Sequence, residues 1–133
     1  MPSNFAAPSH VLLNEVAVGP HWRARLGALV RAVPVAPAAQ YLSWLAPLAQ
    51  SVDAWTTEYL HVLPKAPDGE HPVIAWMKGT ALTPFLAALD PASQRAFVAE
   101  CAERVARAYP AESDGRVPYP FRRVFIVATR ANR

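Results

Sequence analysis

The stretch Val124-Phe125-Ile126-Val127-Ala128 constrains the fold of this chain more than any other. It is continuously apolar and sits inside Phe121 to Thr129, a run of strand-favouring residues. That pattern predicts a strand buried on both faces, not a half-wet one. Such a strand needs neighbours on both sides. The sequence offers one other strand candidate, Val52 to Leu63, in which Trp55, Thr56, Thr57, Tyr59 and Val62 favour extended backbone. An isolated two-stranded ribbon is marginal in water. The two candidates therefore point to a sheet larger than the one these residues build by themselves.

The remaining periodic segments are helical. Ser9 to Val18 fits a short helix carrying Val11, Leu12 and Val16. His21 to Val33 repeats Trp22, Leu26, Leu29, Val30 and Val33 at helical spacing, and Pro34 stops it. Ala38 to Gln50 reads as a helix broken near Trp44 to Ala46 by Pro47. His71 to Lys78 is a short helix ended by Gly79, and Leu82 to Leu89 is another. Asp90-Pro91 opens the longest one, an N-cap aspartate followed by proline at the first helical position. Phe97, Val98, Cys101, Val105 and Ala108 form its apolar stripe, and Pro110 closes it. Asp114-Gly115 is a turn. The order is helices, strand, helices, strand, an α/β arrangement, and the length fits one domain over residues 1–133.

Composition narrows the function classes. Hydrophobic residues make up 53% and charged residues 17%, a globular balance. No apolar run approaches the roughly 20 residues of a membrane span, and Met1 to Phe5 lack the pattern of a signal peptide. A cytoplasmic protein is the expectation. The formal charge is +3, but the arginines are dispersed and form no basic block, which argues for small anions and against nucleic acid. The single cysteine, Cys101, precludes an internal disulfide and reads as a buried structural thiol. His21, His61 and His71 lie singly, so no metal site is expected.

Three ordered segments carry a resemblance. The first is Met1-Pro2-Ser3-Asn4-Phe5 with Pro8-Ser9-His10. The second is Trp76-Met77-Lys78-Gly79-Thr80-Ala81-Leu82-Thr83-Pro84-Phe85-Leu86. The third joins Tyr109-Pro110 and Asp114-Gly115-Arg116 to Phe121-Arg122-Arg123-Val124-Phe125-Ile126-Val127-Ala128. Together with Trp55-Thr56-Thr57-Glu58-Tyr59, they resemble the C-terminal part of the trans-aconitate 2-methyltransferase family, over essentially the whole chain and in the family's order. The resemblance implies a partial class I methyltransferase fold, Rossmann-like, with its last two strands paired antiparallel under several helices. Met1 to Asn4 would follow the fifth strand of that fold, Val52 to Leu63 would be the sixth, and Phe121 to Thr129 the seventh, inserted beside the fifth.

The resemblance also implies S-adenosylmethionine as cofactor and carboxyl O-methylation of trans-aconitate or a similar polycarboxylate. The family's Gly-rich cofactor loop has no counterpart here. The glycines are Gly19, Gly27, Gly69, Gly79 and Gly115, and no two are separated by a single residue. The cofactor-binding half is thus expected to be missing from this sequence, with Met1 corresponding to an internal methionine and the isolated chain inactive.

A carboxylate is already a nucleophile, so no general base is required and no catalytic residue is assigned; alignment and desolvation carry the reaction. Recognition of the acid falls to polar groups near the fifth strand and on the substrate-facing helices. Asn4, Ser9 and His10 are the first candidates, against the alternatives of a turn asparagine and a helix cap at Ser9. Trp76 and Thr80 follow, against a core tryptophan and a capping threonine. Arg122 and Arg123 adjoin the last strand, where adjacent residues face opposite ways. A competing expectation is an interaction module, or a remnant, that associates with itself through an open sheet edge.

Overall fold

The computed structural model of the protein describes residues 1–130. In order, the elements are α1 (Pro8–Val18), α2 (Arg23–Leu26), a 3-10 turn (Gly27–Leu29), α3 (Ala38–Leu45), β1 (Ser51–Leu63), α4 (Pro72–Lys78), α5 (Thr83–Ala87), α6 (Pro91–Ala108) and β2 (Val117–Thr129). The class is α/β, and β1 pairs with β2 in a two-stranded sheet. The pairing is antiparallel: Gln50 N–H, just before β1, donates to Thr129 O at the end of β2, 2.8 Å away. In this register Trp55 stacks on Phe125 and Tyr59 meets Phe121.

The described residues form two compact units. One comprises Met1–Asn4, Val33–Leu60 and the residues from Pro120 on; the other comprises Phe5–Ala32 and His61–Tyr119.

In the first unit, β2 has pairing partners along both edges. Pro2 bridges Arg123 in the antiparallel sense. Ser3 N–H donates to Arg122 O, Val124 N–H donates to Met1 O, and the Met1 amino group donates to Val124 O. The run Val124 to Ala128 departs from the expected burial on both faces. Val124 is buried and Ile126 half-buried, but Phe125 and Val127 are 38% and 54% exposed. Phe125 and Val127 lie on one face with Trp55, and all three are open to solvent there; along the edge, Met1 to Ser3 reach β2 only at residues 122–124. Trp55, Leu60, Leu42 and Trp44 are likewise exposed in this unit.

The second unit holds the larger core. The longest helix, α6, packs on α1 and α4 and buries Phe97, Cys101 and Val105 along one stripe. Phe97 meets the Trp22 ring edge-on at 5.1 Å and the Phe85 ring at 6.0 Å. Asp90 caps α6 as expected, accepting from Ser93 N–H at 3.0 Å, with Pro91 in the first turn. Its carboxyl is held below the ordinary aspartate range, first by the Ser93 hydroxyl and then by the Ser93 amide. His71 caps α4 in the same manner. Its Nδ1 accepts from Val73 N–H, so the ring proton sits on Nε2 and is donated to Tyr109 O at 2.9 Å.

Three element bounds differ from the sequence reading by more than two residues. The helix expected from His21 to Val33 is a single turn, α2, followed by the 3-10 turn. Gly27 weakens the helix at its middle, and Val30 is already extended at φ −70°, ψ 117°. The helix expected over Ala38 to Gln50 ends at the break expected near Trp44 to Ala46, at Leu45 ahead of Pro47, and does not resume. Conversely, β2 begins at Val117, four residues before Phe121, and passes through Pro118 and Pro120. Proline removes a ladder donor, yet its fixed φ is compatible with extended backbone, so the strand persists where composition predicts a loop.

Candidate functional site

Each unit holds one group of the sequence-predicted residues. Asn4, Arg122 and Arg123 belong to the first; Ser9, His10, Trp76 and Thr80 belong to the second.

In the first unit, Asn4 is buried, and its side-chain oxygen accepts from Arg122 N–H at 3.2 Å. It thereby extends the pairing of Met1 to Ser3 with β2. Arg122 and Arg123 diverge as strand geometry requires. Arg122 is exposed and pairs with Glu58 across the ribbon at 3.6 Å. Arg123 is half-buried. Its Nε–H donates to the Tyr59 hydroxyl at 2.9 Å, and its guanidinium carbon lies 5.2 Å from the centre of the Phe121 ring. Tyr59, read from sequence as a strand former and as part of the resembling stretch but not as a site residue, is therefore part of this cluster. Period-2 alternation sets it on one face with Trp55 and Thr57, and the strand register brings that face beside Arg123.

In the second unit, Ser9 is fully buried at the second position of α1, after Pro8 at the first. It does not cap the helix. Its hydroxyl is 2.9 Å from the Tyr119 hydroxyl, and its backbone N–H donates to the Tyr109 hydroxyl at 3.1 Å. The two tyrosine rings meet edge-on at 5.3 Å. The cluster thus satisfies one of the amides that every helix N-terminus leaves without an intrahelical acceptor. Neither tyrosine was read as a site residue from the sequence: Tyr109 entered only as part of the third resembling segment at a helix end, and Tyr119 lies between two prolines. One turn position later, His10 is half-buried with its ring 5.3 Å from Phe5. Burial lowers its pKa below the ordinary histidine value.

On α4, Trp76 is half-buried with its ring 5.0 Å from His61. Thr80 is exposed, and its hydroxyl donates to Trp76 O at 3.3 Å, closing the last turn of α4. Lys78 pairs with Glu70, so it is a neutralised cation at the helix end. Between α4, α5 and α6 runs a groove of about 320 Å³ whose lining includes Glu70, Lys78, Leu86, Gln94 and Arg95.

Cys101 is buried, and its thiol is pushed up to about 12, chiefly by burial and further by Glu100. It is an inert packing residue, as expected. Among the described residues no group of three or more His, Cys, Asp or Glu is placed to hold a metal ion. No helix among them is long and apolar enough to cross a membrane.

Comparison with known proteins places these groups in context. No family model matches the chain. Curated relatives do. The trans-aconitate 2-methyltransferase of Streptomyces avermitilis is 46% identical over 129 residues, covering 96% of this chain and 46% of the relative. That of Methylobacterium nodulans is 40% identical over 131 residues, covering 98% and 49%. That of Streptomyces coelicolor is 42% identical over 133 residues, covering 98% and 42%. The chain spans about half the length of the curated relatives it matches.

Proposed function

We propose that the chain, 40–46% identical to trans-aconitate 2-methyltransferases over the half of those proteins that it spans, forms the substrate-side, C-terminal part of a carboxyl O-methyltransferase of that family. The substrate class is trans-aconitate or a similar small polycarboxylate, the cofactor is S-adenosylmethionine, and the setting is the cytoplasm. The architecture this implies is the end of a class I, Rossmann-like sheet, with residues 1–133 as one portion of a single methyltransferase domain. The observation that carries the reading is identity of 37–46% across nearly the whole chain to proteins bearing that activity in their name.

The described residues do not fit the cofactor by themselves. Only Gly69 and Gly115 have positive φ, each in an isolated turn, and Gly115 lies against the Lys65 side chain. Neither forms a strand-to-helix glycine cradle. The cradle is assigned instead to polypeptide that the relatives carry and this chain does not match. Within this chain the work is recognition, and each unit is considered by itself: Asn4, Arg122 and Arg123 are the candidate contacts to an acid in the first, and Ser9, His10, Trp76 and Thr80 in the second. The nucleophile is the substrate's own carboxylate, so orientation and exclusion of water are what the protein must supply.

A domain replacement tests the reading. The half of the Streptomyces avermitilis relative that aligns with this chain is exchanged for it, and methyl ester formation from trans-aconitate is followed by mass spectrometry. Ester formation is expected. A folded chimera that binds S-adenosylhomocysteine and forms no ester refutes the substrate reading. The isolated chain is expected to give no heat on titration with S-adenosylhomocysteine; clear binding would overturn the assignment of the cofactor cradle.

A second reading, an interaction module that pairs with itself, is favoured by the exposed Trp55, Phe125 and Val127 on the ribbon. Sedimentation over a concentration series separates the two: a monomer throughout removes it.

A further inference from the structure

We infer that Arg123 is a preorganised clamp for a substrate carboxylate, held ready by Tyr59 and Phe121, and that Arg122 is not; this rests on the proposed function and narrows it to one group. Two arginines among the described residues are half-buried, Arg104 and Arg123. Arg104 has carboxylates on two sides, Glu15 and Glu100, each 3.8 Å away. Arg123 has no carboxylate within ion-pair distance among the described residues. Its polar partner is a neutral hydroxyl. A cation drawn partly out of water is ordinarily matched by an acid. Here the described residues supply orientation without the acid.

The orientation has a specific consequence. The Nε–H bond to Tyr59 and the Phe121 ring fix the plane and one edge of the guanidinium. The Tyr59 and Phe121 rings lie 5.8 Å apart across the ribbon, which sets the two supports relative to each other. Among the described residues no hydrogen bond or ion pair takes up the edge carrying the two Nη groups. Two parallel N–H donors on one planar edge match a planar carboxylate in the bidentate manner. A side chain already fixed by stacking and a hydrogen bond loses little further freedom on binding. Arg122 lacks each of these properties: it is exposed, and Glu58 occupies it. The ligand class is therefore a carboxylic acid docking one carboxylate end-on, and Tyr59 is a positioning residue that acts through Arg123.

The test uses the full 133-residue chain labelled with ¹⁵N and titrated with trans-aconitate, with propane-1,2,3-tricarboxylate, and with sulfate at matched ionic strength. The Nε–Hε resonance of Arg123 is expected to move saturably with both tricarboxylates and weakly with sulfate, while that of Arg122 stays put. Arg123→Gln should weaken binding by about 10- to 100-fold, the range for losing a charged hydrogen-bonding partner. Arg123→Lys, which keeps the charge, should still weaken it. Tyr59→Phe should weaken it while leaving the circular dichroism spectrum unchanged. Unaltered affinity in folded Arg123→Gln or Arg123→Lys, or saturable shifts centred on Arg122, would overturn the assignment. The domain-replacement chimera keeps the two proposals apart. Arg123-dependent tricarboxylate binding with no ester formed upholds the clamp and sinks the methyltransferase reading. Ester formation with a KM for trans-aconitate indifferent to Arg123→Gln does the reverse.

Discussion

The Ser9–Tyr119 hydroxyl pair allows a quantitative test of whether Ser9 serves structure or substrate. Ser9 is fully buried, and its hydroxyl lies 2.9 Å from that of Tyr119. Ser9→Ala removes one partner and leaves a buried tyrosine hydroxyl short of that bond. Such a loss costs about 1–3 kcal/mol, more than the roughly 1 kcal/mol that a hydrogen bond contributes net, because the remaining group keeps its desolvation penalty. Tyr119→Phe should cost a similar amount from the other side. The double variant removes both groups, so it should be less destabilised than the sum of the singles by about 1 kcal/mol. Urea unfolding of the full chain, followed by circular dichroism and by tryptophan fluorescence, reads this directly. With a slope of about 1–3 kcal/mol per M for a chain of this size, each single change moves the midpoint by roughly 1 M. Additivity of the two changes within about 0.5 kcal/mol would refute the hydrogen bond. If Ser9→Ala leaves stability unchanged and weakens only tricarboxylate binding, Ser9 is a substrate contact and the structural account of it is wrong.

Three further outcomes follow from local geometry. Cys101, with its thiol pushed up to about 12 by burial, should resist an aromatic disulfide reagent at pH 8 in the native chain and react promptly in urea; free-thiol kinetics without urea would contradict its burial. His10 titrates below its ordinary 6.5 because burial disfavours the imidazolium, so the unfolded chain binds more protons than the folded one just below that value. Its contribution to stability is intact above about pH 7 and declines as pH falls through 6.5; His10→Gln should flatten the urea midpoint between pH 7 and 5, and an unchanged slope would count against it. Gly115 has φ +83°, and a Cβ there would lie 2.9 Å from the Lys65 Cδ. Gly115→Ala should cost about 1–2 kcal/mol, mainly as backbone strain; if adding Lys65→Ala restores the midpoint fully, the cost is steric instead.

The boundaries that sequence specified well are those fixed by covalent geometry or by a single side chain. Asp90-Pro91 starts α6 because a carboxylate can accept from Ser93 N–H and proline tolerates the first turn. Pro47 and Gly79 follow the ends of α3 and α4 for equally local reasons. The β-branched and aromatic content of β1, and the apolar run in β2, announced two strands without any knowledge of their partners. The resemblance to trans-aconitate 2-methyltransferases was readable too, because the segments that carry it stand in linear order. What no window of sequence contains is which side chains meet across a hundred residues. Ser9 and Tyr119 are 110 positions apart, and Trp22, whose indole donates to Glu100, lies 78 positions from it. The choice between Arg122 and Arg123 turns on one residue of strand register, which decides that Glu58 takes the first and the Tyr59 hydroxyl the second. Local propensity decides where the chain bends or extends; the long-range pairing of strands and helix faces decides which charges are answered within the chain and which are left for a ligand.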